Sequence, residues 1–441
     1  MKTLSNLNTL PLNPLKGTYG KAPFRGLGAI LFIFLIPFAC FGQLSLEQCY
    51  EMARENYPLI RQYDLIGQSE DYNLQNASRG YLPQFSLSAK ATYQTEVVSF
   101  PLSLPGVDIP QLNKDQYQAV AEVRQLIWDG GAIQSRKQSV EAEHELERKK
   151  YETDIYALHE RINELFFGIL LIDEQLNLIE LHKQELDRNR SKVLSYIENG
   201  TANRTDLDIV DVELLKVSQR RTELLSLQQA FSDMLSYFIG RPGGNTLALI
   251  KPSIPLIEQN DWTLRPEMAL FDARVDLANA QKSGVTAANM PMLSLFVQGG
   301  YGNPGLNILK DGFRTYAIGG VNLSWNFGNL YTRKNNLRKI DNNIDRIRIE
   351  QDVFNFNMNI KTMQQQAEIN KYADILSDDD KIIRLRENIR KASEAKVENG
   401  TMNINDLMRD IDAEQSARKD RSVHEIEMLK SAYQLKTTLN K

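Results

Sequence analysis

The chain has 441 residues, 42% hydrophobic and 24% charged, which is enough apolar content for a sizeable core and too much for a disordered polymer. Its length suggests two or three domains. A formal net charge of −4 supplies no basic surplus to neutralise phosphates, so nucleic acid is not expected as a partner.

Lys16, Lys21 and Arg25 precede an apolar stretch from Ala29 to Phe41, about the length of a signal-peptide core and too short to span a bilayer. Cleavage after Gly42 would leave Gln43 first, so residues 1–42 are expected to be a signal peptide. A buried helix is the bland alternative, but the stretch has no amphipathic pattern. Cys40, the first of two cysteines, also allows a lipid anchor, although Pro37-Phe38-Ala39 is a poor lipidation box. Whether Cys40 is lipidated or removed stays open. With the leader gone, Cys49 is the one thiol left and no internal disulfide can form. No later segment is a long apolar run, so no transmembrane helix is expected, and an exported chain can still enter a membrane as a β-barrel.

Leu44 to Ser78 reads as a helical stretch ending before Pro83, which cannot continue a helix. From Phe85 the period changes to two: Phe85, Leu87, Ala89, Ala91 and Tyr93 alternate with Ser86, Ser88, Lys90, Thr92 and Gln94. One apolar and one polar face is the weak signature of a barrel strand, and a soluble β-hairpin would share it. Phe100 to Asn113, with three prolines and a glycine, reads as an exposed loop, and Tyr117 to Trp128 as a second strand. A long helix follows from Ala132 to Glu198. Its apolar positions Ile155, Leu158, Ile162, Leu165, Ile169, Ile172, Leu176 and Ile179, resuming at Leu186, Val193 and Ile197, form a heptad seam. At 1.5 Å per residue it would be on the order of 100 Å long. Asn199-Gly200 supplies a turn. A return helix with its own seam, Leu207 to Phe238, stops at Gly240-Arg241-Pro242-Gly243-Gly244. Leu293 to Tyr301 and Thr315 to Phe327 then read as another strand pair around Gly302-Asn303-Pro304-Gly305. Long helices over Leu330 to Glu398 and Met402 to Leu439 follow, with less regular heptads.

The second half echoes the first. Glu198-Asn199-Gly200-Thr201-Ala202-Asn203 with Asp206-Leu207 recurs as Glu398-Asn399-Gly400-Thr401-Met402-Asn403 with Asp406-Leu407. Leu82-Pro83-Gln84-Phe85-Ser86-Leu87 recurs as Met290-Pro291-Met292-Leu293-Ser294-Leu295, and the stretch from Val123 to Asp129-Gly130 as that from Val321 to Phe327-Gly328. The offsets are all roughly two hundred residues and run in one order, as a tandem duplication requires. Residues 43–250 and 251–441 are therefore expected to be two repeats, each of a helix, two barrel strands and a long helical hairpin. Four strands are too few to close a barrel, so several chains would share one.

With the Leu-Pro-x-Phe-Ser-Leu start of the strands, the Trp128 to Gly131 exit and the Asn-Gly-Thr…Asp-Leu tips, the chain resembles the TolC-like outer-membrane efflux proteins over nearly everything after the leader. The resemblance implies an α+β membrane protein: a homotrimer with a shared twelve-stranded barrel in outer-membrane lipid and long helical coiled-coil hairpins forming a periplasmic α-barrel. It implies an exit duct of a tripartite efflux or type I secretion system, fed by an inner-membrane transporter through a periplasmic adaptor, with no cofactor. By position, Asn199, Gly200, Thr201, Asn399, Gly400 and Thr401 match the tips that meet the adaptor. Glycine suits a tight helical turn in any case. The family's aperture is lined by acids after the second tip. Asp406 falls on the first such position, Arg409 stands on the second and Asp410 follows. A ring of aspartates would favour cations, Arg409 would weaken or lock it, and a solvated helical face is the alternative. Asp206 reads as an acid facing a helix dipole.

Two other classes fit less well. An enzyme has little to stand on: His144, His159, His182 and His424 are scattered without metal spacing, there is no cysteine pair, and Gly299-Gly300-Tyr301-Gly302 lies between strands with no helix after it. A structural periplasmic coiled-coil protein explains the heptads and leaves the amphipathic strands and the duplication unexplained.

Overall fold

A computed structural model describes residues 43–98, 112–241, 246–256, 262–308, 310 and 312–440. The expected leader with Cys40, most of the loop expected at 100–113, and Pro242-Gly243-Gly244 lie outside the described residues.

The helical stretch read over Leu44 to Ser78 is two helices, α1 (Leu46–Asn56) and α2 (Ile60–Ser78). Pro58 disfavours helical geometry at Tyr57, which is extended at φ −64°, ψ 127°. Ser45 and Gln48 close a reciprocal capping box at the start of α1, Gln48 N donating to Ser45 Oγ at 3.2 Å and Ser45 N to Gln48 Oε1 at 3.0 Å. After a short turn come β1 (Gln84–Tyr93) and β2 (Asp115–Trp128).

The long helix read over Ala132 to Glu198 is divided into α3 (Ala132–Tyr156) and α4 (Leu158–Glu198) at Ala157. Ala157 keeps helical angles, φ −62° and ψ −17°, and its N–H bonds back to Thr153 O, so the chain hardly turns and the apolar spacing carries across the joint. α5 (Arg204–Phe238) returns alongside α4. The second half runs α6 (Pro266–Ala287), β3 (Met292–Asn303), β4 (Arg314–Ser324), α7 (Gly328–Glu398) and α8 (Ile404–Thr438). β4 ends three residues earlier than its sequence pattern suggests, because the Trp325 indole donates to Asn289 O at 3.1 Å and its ring packs on Phe327. At 71 residues, α7 is about 107 Å long at 1.5 Å per residue.

The four strands form one antiparallel sheet in chain order, β1-β2-β3-β4. The helices follow a similar order. α2 packs on α3, α3 on α6 and α6 on α7 near the sheet; farther along, α5 packs on α4, α4 on α8 and α8 on α7. One core gathers α1, α4, α5 and α8 around Ile162, Phe166, Phe167, Ile169 and Leu235, all at most 1% exposed. Each such side chain contributes on the order of 1.5–3 kcal/mol by leaving water. A second cluster around Leu186, Val193, Val210, Leu407 and Ile411 holds the far ends of the two hairpins together.

Candidate functional site

The sheet is the first unusual surface. Cross-strand partners sort largely by face: Phe85 pairs with Val123, Val123 with Val297 and Val297 with Gly319, and one row on, Leu87 meets Ala121, Gly299 and Ala317, with Gln125 and Thr315 as polar exceptions on this face. The other face carries Ser86, Glu122 and Gln298 in one row and Lys90, Gln118 and Arg314 in another. The apolar face has no cover among the described residues. Phe85 is 79% exposed, Leu87 81% and Leu323 66%, although each forgoes roughly 1.5–3 kcal/mol by staying in water. From Phe85 to Tyr93 the strand rises about 26 Å at 3.3 Å per residue, and a tilt of 35–45° leaves roughly 20 Å along a barrel axis, close to a membrane band. Aromatic rings mark both ends: Phe313 lies 5.3 Å from Tyr301 and 6.2 Å from Tyr117 at the loop end, and Trp325 4.7 Å from Phe327 at the helix end. On the polar face Tyr316 lies over Gly300, where a Cβ would sit 2.1 Å from the ring, and Phe296 lies over Gly320, so these rings lie flat against the wall. Both outer strands, β1 and β4, leave an edge open.

α7 repeats this pattern. Its buried positions are largely polar, with Thr362, Gln365, Asp379 and Ser393 beside Ile344 and Ile347. Ile349, Val353, Phe356, Ile360 and Met363, spaced by fours and threes, face outward and are at least half exposed. Helix α5, at the opposite side of the helical layer, leaves Val212, Leu215, Met234 and Tyr237 exposed. The signal was in the sequence. A largely polar buried face opposite an apolar exposed stripe blurs its heptads, which is why the second half looked irregular.

The two hairpin tips, roughly two hundred residues apart in the chain, come together. Tyr196, Thr201 and Asn203 line one groove with Val397 to Ile404. Gly200 and Gly400 take positive φ, 71° and 69°, which only glycine adopts without strain. In each tip the threonine N–H reaches back to close the helix, Thr201 to Tyr196 O at 2.8 Å and Thr401 to Lys396 O at 2.9 Å. Asn199 and Asn399 bond Ser195 O and Ala395 O at 2.9 and 2.8 Å. Lys192 joins Glu398 at 2.8 Å across the hairpins.

Asp206 and Asp406 occupy matching places and differ in what they hold. Asp206 completes a capping box, accepting from Asn203 N at 2.9 Å. Asp406 N bonds the Asn403 side chain at 2.8 Å, but the Asp406 carboxylate turns to Arg409 instead. Asp410 accepts from Ser393 Oγ at 2.6 Å. Arg409 projects outward, its side chain 76% exposed.

Farther from the tips lies a charge network that the sequence reading missed. Arg390 of α7 bonds Glu414 of α8 at 2.6 Å, Glu394 at 2.6 Å and Glu185 of α4 at 3.2 Å. Arg418 also holds Glu414, at 2.6 Å, and Gln415 donates to Glu185 at 3.1 Å. Nearby, burial and then Glu213 push Asp412 up to about 6.

The histidines are tied into packing. His144 bonds Asn73 and Glu147, His424 bonds Asp379 at 2.7 Å, and His159, held down at about 4 chiefly by burial, lies between Tyr50 and Tyr156. Among the described residues no group of three His, Cys, Asp or Glu side chains could hold a metal ion.

The model of the outer membrane efflux protein family matches residues 49–240. Among solved structures, the chain is similar to the outer-membrane channel OprN at 14% identity, with a TM-score of 0.66 over 89% of each chain. It is similar to the outer membrane protein VceC of Vibrio cholerae at 13% identity and a TM-score of 0.63, over 89% of this chain and 94% of that one. The open state of the Neisseria gonorrhoeae MtrE outer membrane channel matches at 14% identity and a TM-score of 0.64, over 89% of this chain and 88% of that one. At these identities the likeness is one of fold. No curated protein sequence matches the chain.

Proposed function

From the match of residues 49–240 to the outer membrane efflux proteins and a TolC-like channel fold along 89% of the chain, we propose that this protein is a passive exit duct of a tripartite efflux or type I secretion system. It sits in the outer membrane, with its helices in the periplasm. Three chains each give four strands to a twelve-stranded barrel, and their hairpins pack as coiled coils around a continuing channel. Residues 1–42 are the export signal, and 43–250 and 251–441 are repeats of one ancestral unit.

One observation carries this reading: a sheet with an exposed, largely apolar face of membrane height and two open edges. Such a sheet is unstable alone in water, because unpaired edges and bare apolar surface both invite association. Pairing β4 of one chain with β1 of the next removes every edge, and the apolar face then meets lipid. The exposed stripes of α7 and α5 fit the same ring, since different patches meeting head to tail close into a cycle.

Asn199, Gly200, Thr201, Asn399, Gly400 and Thr401 are the docking tips for a periplasmic adaptor, which couples the duct to an inner-membrane transporter. Their paired, rigidly capped turns suit contact with a helical hairpin. Asp406 and Asp410, with Arg409 between them, line the aperture.

The test is the mass of the particle extracted by detergent from the outer-membrane fraction. About three protomers per particle is the expected result. A soluble monomer or dimer would move the protein to the structural coiled-coil class and end the duct reading.

A further inference from the structure

The polar face of the sheet is unevenly charged. Among the described residues its charged side chains are Lys90 on β1, Glu122 and Arg124 on β2, and Arg314 on β4. Glu122 is matched by Arg124 at 2.7 Å. Lys90 and Arg314 are exposed, and neither meets a carboxylate among the described residues. The two belong to one cross-strand row: Lys90 opposes Gln118, Gln118 opposes Gly302, and Gly302 opposes Arg314. That row lies three residues from the end of β1, on the side of the strand loops and away from the helices. Lys90 and Arg314 also stand on the two outer strands, so where chains join, β4 of one brings its Arg314 to the β1 that carries the next chain's Lys90.

We propose that the outer mouth of the duct is an anion-attracting collar of six cations, and that the cargo it favours is anionic. The inference rests on the trimeric duct reading. Its magnitude follows from geometry. Twelve strands at about 4.8 Å spacing and 35–45° tilt give a barrel of roughly 12 Å radius. Lysine and arginine side chains project several ångströms inward, which leaves the axis within about one Debye length of the charges at 0.1 M salt, where that length is about 10 Å. The collar therefore acts across the whole lumen and not only along its wall. Among the described residues of this face the rings of Tyr316 and Phe296 leave it uncovered, because they lie flat over Gly300 and Gly320.

The experiment uses the extracted trimer in a planar bilayer with 0.1 M KCl and inositol hexakisphosphate added to either side. From the strand-loop side the hexaanion should block current, and 1 M KCl, with a Debye length near 3 Å, should relieve the block. Lys90→Gln with Arg314→Gln should weaken the block by about tenfold or more, while Lys90→Arg with Arg314→Lys should keep it. A conducting trimer with no block from that side, or with equal block in the glutamine variant, would overturn the collar and leave the duct reading standing. Absence of any channel would remove both.

Discussion

Arg390 shows how much one side chain carries where three helices meet. It is 15% exposed and faces Glu414, at 3%, and Glu185, at 11%. Two carboxylates so far from water are tolerable only while a cation and further donors satisfy them. Arg390→Ala should cost about 2–4 kcal/mol of stability, toward the lower part of the range for a broken buried pair because Arg418 still holds Glu414. Lys391→Ala, one residue on, removes an exposed pair with Glu387 and should cost less than about 1 kcal/mol. Thermal unfolding of the two variants checks the contrast, and equal shifts would show that Arg390 holds nothing the solvent cannot. At this scale the sequence is a poor guide. The tip glycines were legible because a helical turn needs positive φ at a fixed place. Arg390, Glu185 and Glu414 were not, since their partners lie on different helices and their spacing along any one helix resembles a solvated face.

The elements were more legible, and their errors have local causes. Period two located β1, and the echo of the first strand pair roughly two hundred residues on located β3 and β4, since a sheet with unlike faces alternates and a duplicated unit repeats its strands. The break at Tyr57 was hidden by a helical pattern on both sides of Pro58, and Ala157 by an apolar spacing that passes through it. α7 is the instructive case. Its contact with α8 is largely polar and its outward stripe apolar, the reverse of an ordinary surface helix. A helix arranged this way is stable only when something outside the chain covers the stripe. Phe356→Glu together with Met363→Glu places two carboxylates in that stripe without touching the contact with α8. The particle should fall from about three protomers toward one in light scattering, with helical circular dichroism unchanged. A trimer that survives both charges would mean that the stripe is not the join. Loss of helicity would mean that it belongs to the folding of the single chain.

At the scale of the molecule, its two ends differ in charge. The strand row carries Lys90 and Arg314, whereas the hairpin end carries Asp406 and Asp410. The sequence offered this polarity only in part: the acids stood out by position after the tip, but the facing of Lys90 and Arg314 depends on register, and a one-residue slip would turn both to the other face. Nor could spacing say which acid is free. Asp406 is neutralised by Arg409 three residues on, and Asp410 is engaged by Ser393, so an aperture lined as proposed would present a weaker negative ring than three bare aspartates. Arg409 then sets the balance. Under a tenfold KCl gradient, Arg409→Ala should release the Asp406 carboxylate and move the reversal potential toward that of a cation channel. Asp406→Ala should leave Arg409 unopposed and move it toward that of an anion channel. Opposite shifts would assign the pair to the narrowest part of the path, because a charge in a wide section hardly affects which ion passes. No shift in either variant would take Asp406 and Arg409 out of the aperture and leave them as an exposed pair on the helix, worth little to stability or to flow.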